Sequence, residues 1–465
     1  MLKKQGAGVK KRETIMAITK TKQPAFHITG ETGWINDPNG LIYFNGRYHA
    51  FYQYYPHATN WGPMHWGHVV STDLTHWEYL PVALAPGGES GEDGCFSGSA
   101  IVHDGKIYLM YTGFWENQGG ESIRQLQCLA ESEDGINFKK RGIVIGENDL
   151  PKGYAPCDFR DPKVWCHNGE FWCVVAARKY DGKGRILLFK SNDLFKWTFV
   201  NDLFDKDSLG VMIECPDYNE DLGYMFSCEQ FQPAEKGVHL NVHTSRWHVG
   251  KLDYSTGHFK EENRGIVDYG FDFYAPQTFA GAPVMMGWLN MWDRNLPSAK
   301  YGFAGMLTVP RKVSVVDGRL YQTPIVNSTE VLTTSVHGRF DDKVVKGVVT
   351  INATGLEKLS LKMRSNGVNY TELTLKDGEW VFNRSKSGEA IIGVEKDADS
   401  LNGIRRMPCS MKRDITLTIV FDEFSVEIFE DGRALSSTIY PPEDACDLVL
   451  TVKADSCKYA RADVE

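Results

Sequence analysis

The chain has 465 residues, with 51 Lys and Arg against 60 Asp and Glu and a formal net charge of −9. That length holds two or more domains with an ample core, and the acidic balance argues against nucleic acid or an anionic membrane as the main partner. No apolar run reaches the ~18 residues of a membrane span, and ten cysteines from Cys95 to Cys457 show no CxxC spacing, which leaves zinc ribbons and thiol redox motifs without support.

Residues 1–22 are basic and polar (Lys3, Lys4, Lys10, Lys11, Arg12) and lack the apolar stretch of a secretory signal. They read as a disordered tail outside the fold, with Met16 as an alternative start. The chain is then expected to be cytoplasmic with reduced thiols. On that reading the Asn-x-Ser/Thr triplets at Asn327, Asn352, Asn369 and Asn383 are chance occurrences in polar strands rather than glycan acceptors.

From residue 23 onward helical periodicity is hard to find, and short β-branched and aromatic runs are punctuated by Gly, Asn and Asp. The first predicted hairpin is LIYFNGRYHAFYQY, turning at Asn45-Gly46, followed by STDLTHWEYL from Ser71. The second, AIVHDGKIYLMYTG, turns at Asp104-Gly105 and leads to SEDGINFKKR from Ser132; the third, KVWCHNGEFWCVVAA, turns at Asn168-Gly169 and leads to SNDLFKWTFV from Ser191. Asn-Gly and Asp-Gly between apolar runs are the strongest short-range hairpin signal. The Ser-Asp-turn-aromatic pattern recurs about every 60 residues, with a weaker echo, LDYSTGHFKEE, from Leu252. A repeat of about four strands that is too small for its own core describes a propeller blade, and the span from Trp34 to Pro310 has room for five. Residues 23–324 are therefore expected to form a five-bladed β-propeller. After about residue 325 the repeat stops, and ITLTIVF (Ile415, Leu417, Ile419) and SVEIFEDGRALSSTIY (Val426, Ile428, turn at Asp431-Gly432) alternate apolar and polar residues. Such strands bury one face and wet the other, which places a β-sandwich over 325–465 and makes the chain all-β.

Three acidic motifs stand at the starts of successive hairpins: WINDPNG with Asp37, FRDPKVW with Asp161, and ECPD with Glu214. Asp37 and Asp161 precede Pro directly, and Glu214 lies one Cys away from Pro216. One Asp-Pro alone reads as a turn starter. In a propeller, however, the innermost strands converge on one axis, so acids at equivalent blade positions meet at one end of the channel. Clustered carboxylates repel, so at least one stays protonated near neutral pH. A retaining glycosidase uses such a set: an ionised nucleophile and a neutral acid, roughly 5 Å apart.

The ordered motifs WINDPNG, FSGS (Phe96 to Ser99), FRDPKV, ECPD, YAPQTF (Tyr274 to Phe279) and GMLTVPRK resemble the invertase and fructan-hydrolase family of glycoside hydrolases. The likeness runs from about Trp34 to Tyr440 and includes SVEIFEDGRALSSTIYP. It implies the same propeller and sandwich, a β-fructofuranosidase activity, and no metal or cofactor. It also implies roles: Asp37 attacks C2 of fructose, and Glu214 protonates the leaving oxygen and later deprotonates water. Glu214 would have its pKa raised by the Asp37 charge. Asp161, kept ionised by Arg160, would hold fructose hydroxyls. Asn36, Gln53, Trp61, Phe96, Ser97, Arg160, Tyr274 and Trp288 match the family's fructose pocket. The expected partner is a small sugar, such as sucrose or a short fructooligosaccharide. A fructosyltransferase and an inactive fructan-binding homologue are the alternatives, and the second is disfavoured because all three acids are present.

Other candidates carry less. His65 and His68 have a spacing that suggests a metal pair, but residues three apart on a strand face opposite ways. Cys157 and Cys215 flank the motifs without an evident His partner and read as packing residues. The Gly-rich stretch Glu116 to Glu121 reads as a pocket rim, not a phosphate cradle. Asp158 stands where the bacterial sucrose-phosphate enzymes often carry His, and its charge would disfavour a phosphate. The sandwich shows no catalytic cluster and is expected to brace the propeller or mediate homo-oligomer formation.

Overall fold

The computed structural model describes residues 22–464 apart from 89, 117–122, 205–208, 232–240, 394–396 and 411. Of the expected tail only Lys22 is among them, and it pairs with Glu443 at 3.0 Å. No helix among the described residues is long and apolar enough to cross a membrane. Five antiparallel meanders succeed one another along the chain. The first comprises Gly33–Phe44, Arg47–Tyr55, His65–Ser71 and Glu78–Leu84; the second starts at Gly94–His103 and ends at Lys139–Ile145. The third spans Tyr154–His167 to Trp197–Asp202, the fourth Met212–Asn219 to His258–Ile266, and the fifth Tyr274–Thr278 to Arg319–Pro324. The first strands of successive sheets touch, and the fifth touches the first, so these strands form a closed inner ring. Phe303–Ala304, from within the fifth unit, pairs in parallel with Gly33 and Trp34 and fastens the last sheet to the first.

Local chemistry explains the repeat. Each predicted hairpin turn has both residues at positive φ: Asn45-Gly46 at 48° and 80°, Asp104-Gly105 at 47° and 73°, Asn168-Gly169 at 51° and 82°. These are the values a two-residue primed turn requires. The Ser-x-Asp motif closes the link between the third and fourth strands of a sheet. Asp73 Oδ1 accepts the N–H groups of Thr75 and His76, Asp134 Oδ1 those of Ile136 and Asn137, and Asp193 Oδ1 those of Phe195 and Lys196, all at 2.8–2.9 Å. The recurring Ser and Asp are thus side-chain substitutes for backbone turn partners.

The inner strands share a second device. Each carries a β-bulge at the same height, between Ile35 and Pro38, Phe96 and Gly98, Arg160 and Lys163, Glu214 and Asp217, and Tyr274 and Gln277. Pro162, Pro216 and Pro276 lie inside these irregularities, where a missing N–H removes no ladder bond. The acidic motifs are therefore bulges within strands and not turn starters. Glu214 also sits one residue ahead of the blade position that Asp161 holds; the equivalent residue is Cys215, and both Asp161 and Cys215 are left-handed, with φ of 64° and 48°.

The sandwich has two six-stranded sheets, Ser328–Ser335 to Arg433–Thr438 and Gly338–Lys343 to Ile404–Pro408 by strand order. Ile351, Leu361, Trp380, Phe382, Leu417 and Ile419 pack between them. The alternation expected to leave one face wet fails over Ser425–Glu430, where every residue is buried. Its polar face is pressed against the propeller. There Glu427 accepts from Val309 N (2.9 Å) and Arg311 Nη2 (2.6 Å), while Arg311 Nη1 donates to Asp268 at 2.9 Å. His27 completes the set, with Nδ1 2.8 Å from Asp422 and Nε2 2.9 Å from Glu427, all three side chains fully buried. Burial alone would lower the imidazole pKa, but the two carboxylate bonds outweigh it and push the group up to about 9.

An elevated histidine pKa stabilises the fold fully below its ordinary value and ceases to do so as pH rises through the elevated one. Unfolding free energy is expected to decline between pH 6.5 and about 9 through this group. Replacing His27 with Leu should cost about 3 kcal/mol at pH 7, because Asp422 and Glu427 lose a buried partner, and should flatten that decline. Denaturant melts of both proteins across the range provide the check; a variant with an unaltered pH profile would contradict the assignment.

Candidate active site

The bulges do more than bend the strands. A bulge re-aims side chains off the pleat, and Asn36, Asp37, Ser97, Asp161 and Cys215 all fall within one. Asn36, Asp37, Ser97 and Asp161 open onto a cleft of about 440 Å³ at one mouth of the inner ring, lined also by Gln53, Trp61, Phe96, Arg160 and Glu214. Asp37 is 9% exposed and Asp161 6%. Asp37 Oδ2 accepts from Ser97 Oγ at 2.6 Å and Oδ1 from Asn36 Nδ2 at 3.2 Å, while Asn36 Oδ1 is itself held by Trp34 Nε1 at 2.8 Å. Asp161 Oδ2 accepts from the Cys215 backbone N–H at 2.9 Å. The Cys215 thiol lies 3.6 Å from both Asp37 Oδ2 and Asp161 Oδ2. The two aspartates are thus no further apart than twice that distance. Gln53 Nε2 donates to Cys95 O at 3.0 Å, and Trp61, 44% exposed, stands edge-on to Phe96 at 5.9 Å.

Glu214 is clamped from two sides. Arg160 Nε and Nη2 reach Oε1 at 3.1 and 2.8 Å, and Tyr274 Oη donates to Oε2 at 2.7 Å. Arg160 Nη1 is also 3.3 Å from Asp158, which Arg178 Nε grips at 2.8 Å.

Charge divides the three acids. Burial and the Glu214 charge push Asp37 up to about 6, against the hydrogen bonds from Ser97 and Asn36. Burial, with Glu214 and Asp37, pushes Asp161 up to about 7 despite Arg160. Burial raises Glu214 too, but Arg160 and the Tyr274 hydroxyl outweigh it and hold this carboxyl below its ordinary value. The expectation of a raised Glu214 is therefore corrected: a guanidinium fork favours the ionised form more than a neighbouring aspartate opposes it. Of the three carboxyls, the two aspartates are thus the ones whose hold on a proton is strengthened.

The structure brings together Asn36, Asp37, Gln53, Trp61, Phe96, Ser97, Arg160, Asp161 and Glu214. Tyr274 and Trp288 are 1% and 0% exposed and stand behind the lining, Tyr274 on Glu214 and Trp288 against Trp34 and Trp292 at 5.7 and 5.0 Å. Cys215, expected only to pack, touches both aspartates; its thiol pKa is driven well above the usual range by a Cys228 hydrogen bond, burial and the two carboxylates, which leaves it a donor. His65 and His68 serve different partners, Pro63 O and His49, each at 3.0 Å. Of the Gly-rich rim, Glu116 is held by Asp93 at 2.8 Å, and residues 117–121 lie outside the described set. Gln125, Gln230, Phe231, His243, Trp292 and Asp293 also line the cleft. None belongs to the acidic motifs. Only the tryptophan-rich run from Trp288 to Trp292 offered a signal.

Residues 27–324 match the Glycosyl hydrolases family 32 N-terminal domain, and residues 320–464 the Glycosyl hydrolases family 32 C terminal. The sucrose-6-phosphate hydrolase of Escherichia coli is 38% identical over 449 residues, covering 92% of both chains. The raffinose invertase of Escherichia coli is 39% identical over 450 residues with the same coverage. Among solved structures, the Bombyx mori GH32 β-fructofuranosidase superposes with a TM-score of 0.81 at 32% identity, covering 95% of this chain and 93% of that one. The sucrose-6-phosphate hydrolase of Lactobacillus gasseri gives 0.86 at 25% identity, covering 95% and 93%. With residues 27–324 and 320–464 so matched, the chain belongs to family 32 of the glycosyl hydrolases.

Proposed function

We propose that this protein is a retaining β-fructofuranosidase that releases terminal fructose from sucrose and short fructooligosaccharides. The observation that carries the reading is the division of labour among three carboxyl groups in one cleft: two buried aspartates joined through Cys215, and a glutamate oriented by Arg160 and Tyr274. A variant of the Bombyx mori neighbour has been captured in complex with sucrose.

In the proposed reaction Asp37 attacks C2 of fructose as the bond to the leaving oxygen breaks, and Glu214 gives that oxygen its proton. Water then attacks C2, loses a proton to Glu214 and frees Asp37. Asp161 accepts hydrogen bonds from fructose hydroxyls as positive charge develops at C2. Near pH 6–7 the raised aspartate pair shares about one proton in the free enzyme. Substrate binding must move it to Glu214, and the sugar hydroxyls that replace solvent around Asp37 and Asp161 favour their ionised forms. Tyr274 and Arg160 orient Glu214 for this exchange.

The Asp158 charge, once a reason to disfavour a phosphate, is compensated by Arg178 and Arg160. Sucrose 6-phosphate therefore stands beside sucrose as a substrate of the proposed enzyme, in keeping with the names its relatives carry. Ten free cysteines fit a reducing cytoplasm as its place of action.

Purified protein incubated with sucrose should release equimolar glucose and fructose; folded protein that frees no fructose from sucrose, sucrose 6-phosphate or kestose-type sugars would refute the proposal. Asp37→Ala and Glu214→Ala should each lower kcat by at least ~10³-fold with melting temperatures near that of the parent, and a variant retaining a tenth of the activity would lose its assigned role. Since Asp37 must be ionised to attack, kcat/KM should fall on acidifying below about 6. Ser97→Ala removes a bond that favours the carboxylate and should shift that limb to higher pH. Tyr274→Phe should raise the Glu214 pKa, read by carboxyl chemical shifts in protein labelled at glutamate; an unmoved resonance would remove the hydroxyl from its role.

A further inference from the structure

We infer that Asp293 sets specificity for the leaving group, and that the sandwich domain positions it. This rests on the fructofuranosidase reading. Fructose must reach Asp37 and so occupies the cleft floor with the buried aspartates, which leaves the departing group facing the rim. Asp293 lines that rim, is exposed, and has no hydrogen-bond or ion-pair partner among the described residues. A free carboxylate there accepts hydrogen bonds from hydroxyls of a leaving sugar, and a leaving alcohol without further hydroxyls offers it nothing.

Its placement is imposed from the other domain. Asp293 is left-handed, with φ of 60°, a conformation that costs a residue with a Cβ about 1 kcal/mol and persists where neighbours enforce it. The next two residues are those neighbours. Arg294 forms an isolated bridge with Gly393 of the sandwich, and its guanidinium bonds Asp272 at 3.0 Å and Asn241 at 2.9 Å. Asn295 N donates to Ile392 O at 3.0 Å, Ile392 N donates back to Asn295 Oδ1 at 2.6 Å, and Asn295 Nδ2 reaches Ala390 O at 3.2 Å. Gly393 admits this approach because a Cβ there would come 2.5 Å from Arg294 Cγ. Trp292, on the other side of Asp293, stacks at 5.9 Å on Trp34 of the first sheet. The rim carboxylate is thus stretched between an anchor in the propeller and one in the sandwich.

The test compares kcat/KM for sucrose with kcat/KM for methyl β-D-fructofuranoside, whose leaving group is methanol. Asp293→Asn should lower the sucrose-to-methyl-fructoside ratio roughly three-fold or more, through KM for sucrose. Gly393→Ala, in the other domain, should lower the ratio in the same direction, and the double variant should fall no lower than Asp293→Asn alone. Asn295→Ala serves in its place if Gly393→Ala fails to fold. A ratio changed less than three-fold by Asp293→Asn overturns the specificity role; full additivity of the two substitutions, or an unchanged ratio in the sandwich variant, overturns the positioning role. Parent protein that hydrolyses neither substrate refutes the fructofuranosidase reading itself.

Discussion

An unbroken strand alternates its side chains between two faces, so a ring of unbroken strands could offer the channel mouth only every second residue. The bulge shared by the five inner strands removes that restriction. It inserts one residue without a ladder partner at the same height in each blade, and consecutive residues can then both reach the cleft: Asn36 with Asp37, Phe96 with Ser97, Arg160 with Asp161. The arrangement of charge follows from this. Arg160 lies just before its bulge and Asp161 inside it, so the guanidinium reaches across to Glu214 while Asp161 turns toward Cys215 of the next blade. Neighbouring inner strands therefore bind one another through the same groups that line the cleft.

The contact between the domains follows a related logic, in which polar residues on a sheet face are satisfied by the partner domain in place of water. Arg311 spans Asp268 of the propeller and Glu427 of the sandwich, and His27 draws the N-terminal segment onto Asp422. Such pairs contribute less to stability than their short distances suggest, because both charges were desolvated to form them. Their directionality is the larger contribution: several buried donors and acceptors can be met together in only one relative orientation of the two domains. The bonds from Asn295 to the sandwich depend on that orientation.

Features that need unusual backbone or a fixed local partner were legible in the sequence. Asn45-Gly46 and its counterparts must turn, because few other residues take two positive φ values in succession. The Ser-Asp repeat was visible because each aspartate bonds residues two and three positions ahead. The acids themselves were found because the repeat outweighed the turn that Asp37-Pro38 or Asp161-Pro162 alone would suggest; the bulge was not legible, since a proline without an N–H suits a bulge as well as a turn. Ser425–Glu430 looked half wet because Glu427 in isolation resembles a solvated residue; Arg311 and His27, its partners, are more than 100 residues away in sequence. The Glu214 pKa was misjudged for a similar reason, as the sequence shows Arg160 beside Asp161 but not its reach to Glu214. Rim residues such as His243 and Asp293 lie on connections with no periodicity to mark them.

The parallel pairing of Phe303–Ala304 with Gly33 and Trp34 joins segments about 270 residues apart. A ribosome releases Asp37 early, yet the strand that carries it gains its second neighbour only after nearly all of the ring has been made. Until then the first sheet keeps an open edge, and the cleft lacks the wall that Trp292 and Asp293 supply. Enclosure of the cleft therefore waits for the last blade, and a chain interrupted before it would hold Asp37, Asp161 and Glu214 without the Tyr274 hydroxyl that grips Glu214.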